Sequence, residues 1–74
     1  MFTIIVYNRA TDKPAVNSKV QVFFEGFFRG NTSTVRTNYR GEVDFDYDSG
    51  RGAVFVDGRN VYEGDISGRL TVYI

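Results

Sequence analysis

Asn38-Tyr39-Arg40-Gly41-Glu42-Val43-Asp44-Phe45-Asp46-Tyr47 is the stretch that decides the fold. From Glu42 onward, acidic and apolar residues alternate without a break. Val43, Phe45 and Tyr47 share one side, and Glu42, Asp44 and Asp46 share the other. A repeat of two belongs to a strand with one buried and one wet face, because successive Cβ atoms of a strand point to opposite sides. The four residues before it read as a turn in which Gly41 takes positive φ.

The same repeat runs outward in both directions. Candidate strands cover residues 2–7, 19–24, 34–37, 42–47, 53–56, 61–66 and 70–73, rich in Val, Ile, Phe, Tyr and Thr. No window of helical length and period competes. The expected inward residues are Phe2, Ile4 and Val6; Val20, Val22 and Phe24; Val54 and Val56; and Leu70, Val72 and Ile74. Phe28 is expected beside Phe24. Asn8 to Asn17 holds the only proline, Pro14. That length suits a crossing between sheets better than a tight hairpin. Asp57-Gly58-Arg59-Asn60 reads as a hairpin tip, and Ser67-Gly68 as another, with Gly68 in a primed turn.

A 74-residue chain is one domain, spanning residues 1–74. At this size about 60% of the unfolded surface is buried, which leaves little stability in reserve. The chain has no Cys and no His. Disulfides, thiolate metal sites and His-based nucleophile systems are therefore out of its reach. Nine basic residues balance nine acidic ones, and the strong basic excess typical of nucleic-acid binders is missing. No apolar run approaches a transmembrane span, so no membrane role is expected. No leader pattern follows Met1, and a cytoplasmic location is favoured if Met1 is the natural start. Seven short strands with regular turn signals predict an all-β fold, an immunoglobulin-like sandwich, with a small β-barrel as the alternative.

Two segments carry a resemblance. Asp12-Lys13-Pro14-Ala15-Val16-Asn17-Ser18-Lys19-Val20 is similar to the "gly-lys-pro-val-x-x-ala-x-val" opening of carboxypeptidase regulatory-like domains, which are transthyretin-like sandwiches. Thr37-Asn38-Tyr39-Arg40-Gly41-Glu42-Val43-Asp44-Phe45 resembles their "thr-asp-x-x-gly-x-val-x-phe" hairpin. After Tyr47 the chain departs from that pattern, with Ser49-Gly50-Arg51-Gly52-Ala53 where the family has "pro-gly-x-tyr". The resemblance implies a structural or binding accessory domain without an active site. The related adhesin repeats often carry a Lys–Asn cross-link with the Asn on the last strand; residues 69–74 contain no Asn, so none is expected here.

Three groups of residues are candidates for function. Asp44, Asp46 and Asp48 share the spacing that opens a calcium loop. That pattern then requires Gly at its sixth position and Glu at its twelfth, where this chain has Ser49 and Phe55. Solvent-facing strand carboxylates are the favoured reading, and a cation held by Asp46 and Asp48 is the alternative. Phe23-Phe24-Glu25-Gly26-Phe27-Phe28-Arg29-Gly30 places Phe23 and Phe27 opposite the core set, with Arg29 beside them. Burial at an interface is favoured over a stacking platform for single-stranded nucleic acid. Tyr7, Tyr62 and Tyr73 are expected on one outward face if the first and last strands pair. Arg51, Arg59 and Arg69 read as solubilising loop charges.

The expected function is that of a non-enzymatic module acting through protein contact, without a cofactor, as a homo-oligomer or with a protein partner. Nucleic acid is disfavoured. The alternative is a ligand-binding domain for single-stranded nucleic acid or carbohydrate.

Overall fold

The structure, a computed structural model, describes residues 1–26 and 30–74. The expectations for Phe27, Phe28 and Arg29 lie outside the described residues. Eight strands follow in order: β1 (Phe2–Asn8), β2 (Lys13–Pro14), β3 (Lys19–Phe24), β4 (Val35–Arg36), β5 (Glu42–Phe45), β6 (Gly50–Val56), β7 (Arg59–Ile66) and β8 (Arg69–Tyr73). Among the described residues there is no helix, hence none long and apolar enough to cross a membrane.

The strands form two sheets that face each other across one core. In the first, β1 is central. Its early half pairs antiparallel with β5 and its end with β2, while its other side pairs with β8 in parallel. The second sheet runs β4-β3-β6-β7, antiparallel throughout. Among the described residues the strands close no barrel.

Alternation placed the core well. Ile4, Val6, Val20, Val22, Val54 and Ile66 are fully buried, and Phe2, Val43, Phe45, Val56 and Val72 nearly so. Each such side chain contributes about 1.5–3 kcal/mol relative to exposure. Phe2 bridges the layers: it stacks on Phe45 at 5.4 Å and meets Phe24 edge-on at 5.9 Å. Such pairs add about 0.5–1.5 kcal/mol beyond buried area. Tyr47 and Ile74, expected inside, are 39% and 41% exposed. Both lie just past the end of a strand, where the facing layer no longer covers them. Tyr47 still lays its ring near Phe24 and Phe45.

Gly41 behaves as its turn demands, with φ 75°. The Asn38 carboxamide accepts from the Arg40 and Glu42 amides and holds the turn. A Cβ on Gly41 would stand 2.5 Å from the Val6 carbonyl oxygen. That crowding has a cause. The Val6 amide donates to the Gly41 carbonyl, while the Val6 carbonyl accepts from Ala15. Val6 is thus where β1 changes partner from β5 to β2.

The long connection after β1 differs from a plain crossing. It first turns back at Asp12, with φ 56°, and lays β2 along the end of β1. Pro14 stands opposite Tyr7, and the Ala15 amide takes the inward bond, so the missing proline N–H costs no ladder bond. Thr37, 5% exposed, then staples the crossing: its hydroxyl donates to the Ala15 carbonyl at 2.6 Å and accepts from the Ser18 amide.

Asp57-Gly58 is the expected hairpin tip between β6 and β7, with φ 51° and 82°, the two positive values a type I′ turn requires. Ser67-Gly68 is not a hairpin tip. The strands on either side, β7 and β8, pair in different sheets, and the turn carries the chain around the edge of the core.

Candidate functional site

The outer face of the first sheet follows from the parity of β1. With Ile4 and Val6 turned inward, Thr3, Ile5 and Tyr7 face outward. The parallel register sets them beside Arg69, Thr71 and Tyr73. The Tyr7 and Tyr73 rings lie 6.5 Å apart, and the Arg9 guanidinium stands 5.0 Å from the centre of the Tyr73 ring. Beyond them, Arg69 donates to Glu42 at 2.8 Å, and the Thr3 hydroxyl donates to Asp44 at 2.6 Å. Ile5 is buried although it faces outward. It floors a shallow depression of about 510 Å³ walled by Tyr7, Pro14, Tyr39 and Arg40.

The rim of this face is β8. The Thr3 amide bonds to the Gly68 carbonyl, the Ile74 amide to the Tyr7 carbonyl, and the Arg9 amide to the Ile74 carbonyl. A parallel ladder keeps that parity along its length. Leu70 and Val72 therefore turn their peptide groups toward β1, whereas Arg69, Thr71 and Tyr73 turn theirs outward. Among the described residues no strand pairs with that outward side. The edge is regular and free of proline and of acidic residues.

A second feature lies on the outer face of the other sheet. Phe23 on β3 and Phe55 on β6 meet edge-on at 5.0 Å, and Phe23 remains 42% exposed. They line an open groove of about 700 Å³ with Lys19, Gln21, Thr34 and Asp57. Gln21 donates its side-chain amide to the Thr32 carbonyl.

The tyrosines expected together divide. Tyr7 and Tyr73 are neighbours, but Tyr62 is on β7 in the other sheet. It stands opposite Val54 and packs against the core, with its hydroxyl donating to the Asp65 carbonyl at 2.7 Å. Asp46 and Asp48 are exposed in the connection from β5 to β6. Among the described residues no group of three or more His, Cys, Asp or Glu could hold a metal ion.

Several members of these surfaces escaped the sequence reading. Arg69 is a strand residue paired with Glu42 rather than a loop charge. Arg51 lies on β6 between Glu25 and Asp65, at 3.4 and 3.2 Å. Phe55 could have been found, because it is out of phase with the inward Val54 and Val56. Arg9 carried no signal, since its partner lies on the last strand. Comparison of this chain with family models, with curated proteins and with solved structures found no match.

Proposed function

We propose that this chain is an immunoglobulin-like, transthyretin-like β-sandwich module that performs no catalysis and acts through protein–protein contact, associating with itself. The carrying observation is the outward side of β8, a regular strand whose outward peptide groups pair with no strand among the described residues, next to the Tyr7–Tyr73 pair. An exposed row of N–H and C=O groups is a template for another strand, and flanking tyrosines supply rigid contact area with a polar tip. The motifs around Pro14 and Gly41 and the two sheets over a common core support the family resemblance. Light scattering coupled to size exclusion tests the reading. A dimer or larger assembly that dissociates on dilution is expected, and a monomer at every attainable concentration overturns it.

A second reading is favoured by the Phe23–Phe55 groove. Two rings beside Lys19, Gln21 and Asp57 suit a carbohydrate, whose C–H faces lie on aromatic rings while its hydroxyls meet polar groups. Binding to a glycan array, lost in Phe23→Ala with the fold retained, is the expected result. Salt-sensitive binding to single-stranded nucleic acid instead would overturn the carbohydrate assignment.

A further inference from the structure

The edges of the two sheets are not equivalent, and their chemistry selects both the contact strand and its register. β2 and β4 are two residues each. β5 would bring Glu42 and Asp44 of one copy against those of another. β7 is interrupted by a bulge near Val61 and by Gly64 at φ 148°, and it carries Glu63 and Asp65. Bulges and charges on an edge strand are the usual means of refusing a partner. β8 has neither.

We infer that a second copy of this chain pairs with β8 antiparallel, about a two-fold axis through Thr71, joining the two first sheets into one continuous sheet. The inference rests on the self-association reading and adds its geometry. The outward peptide groups belong to Arg69, Thr71 and Tyr73. An axis at Thr71 sets Thr71 opposite its own copy and Arg69 opposite Tyr73 of the other chain, so every outward N–H and C=O on the strand finds a partner. Moving the axis to Leu70 leaves Tyr73 facing the Ser67-Gly68 turn, where Gly68 at φ 57° ends the extended backbone. Moving it to Val72 sets Arg69 beyond Tyr73, the last residue of the other copy's β8.

Side chains agree with the same register. On the outer face, the Arg69 guanidinium meets the Tyr73 ring of the other copy, a cation beside a π face. Glu42 already offsets the Arg69 charge at 2.8 Å. On the inner face, the half-buried Leu70 comes opposite Val72 of the other copy, which removes apolar surface that the monomer leaves wet. The pairing is isologous, as a closed dimer requires.

The chain has no cysteine, so single cysteines report the register directly. In the register about Thr71, the two Thr71 Cα atoms lie about 5.5 Å apart, within disulfide reach. The two Arg69 Cα atoms, four residues apart along the ladder, lie about 14 Å apart, out of reach. Thr71→Cys, Arg69→Cys and Tyr73→Cys are each oxidised mildly and run on non-reducing gels, with circular dichroism to verify folding. Thr71→Cys is expected to cross-link at least tenfold faster than either of the others alone. Mixing Arg69→Cys with Tyr73→Cys is expected to yield the hetero-linked dimer. A wild-type dimer whose cysteines link best at position 69 or 73, or at none of the three, overturns the register and leaves self-association standing. A wild-type monomer by light scattering overturns both.

Discussion

β7 and β8 are consecutive strands on the same flank of the molecule, each at the edge of its own sheet, yet they are built differently. β7 is eight residues long, and its pairing with β6 slips at Val54/Phe55, so that Val61 is the extra residue. Its irregularities are held in place: Asn60 donates to Glu63 at 2.7 Å, the Tyr62 hydroxyl closes on the Asp65 carbonyl, and Arg51 faces Asp65 across the ladder. β8 is five residues long, straight, and paired in register with β1 along its whole length. One edge spends its side chains on fastening itself, and the other leaves its backbone available. The difference teaches that exposure alone does not define a contact surface. A strand invites a partner only when its free peptide groups keep a regular spacing.

The comparison can be broken most severely at β8 itself. Val72→Pro removes an amide that faces β1 and empties a buried position, and is expected to cost more than about 3 kcal/mol. Thr71→Pro removes an outward amide and is expected to cost the monomer about 1 kcal/mol or less while abolishing self-association. Urea melts of the two variants, read with light scattering, check the pair. Equal destabilisation would show that the assigned parity of β8 is wrong.

Next in size is Ile66→Ala, the main inward anchor of β7. It is expected to cost about 2–5 kcal/mol and to raise amide exchange along β7 more than along β8. Smaller still is Tyr62→Phe, which deletes the hydroxyl bonded to Asp65. A loss of about 0.5–1.5 kcal/mol in denaturant midpoint analysis is expected, with assembly through the proposed β8 edge unchanged. Smallest is Arg69→Ala. The pair with Glu42 is largely solvated on the arginine side, so about 0.2–1 kcal/mol of monomer stability is at stake. The dimer dissociation constant is expected to rise further than that figure accounts for.

Much of the fold was legible because the chain keeps period two wherever both layers are present. The inward residues of β1, β3, β5 and β6 could be read from alternation alone, and Gly41 and Asp57-Gly58 from turn chemistry. What failed did so for identifiable reasons. Tyr62 was expected to face outward, but the bulge at Val61 puts two consecutive residues against the core. Counting back from Ile66 through Gly64 gives the correct side. Ser67-Gly68 has the composition of a hairpin tip, and nothing local tells a strand that it will join the opposite sheet. The parallel pairing of β1 with β8 is long-range, so Arg9 and Tyr73 could not be connected from spacing. The lone Phe55 phase shift was available and marks half of the aromatic pair on the second sheet.

The central position of β1 has a temporal consequence. Its partner on one side, β8, is the last strand, and pairing Ile4 with Leu70 closes a loop containing nearly every other element. Loop-closure entropy makes such a pairing late, and topologies rich in it fold slowly. The β3-β6-β7 meander contains the tight Asp57-Gly58 hairpin and can assemble before that closure. During that interval β1, with Phe2 and the run Ile4-Ile5-Val6, stands with one side unpaired. The molecule's most apolar strand is thus its most vulnerable one while the chain folds, and β8, the strand proposed above as the contact edge, first serves as the cover that ends this exposure.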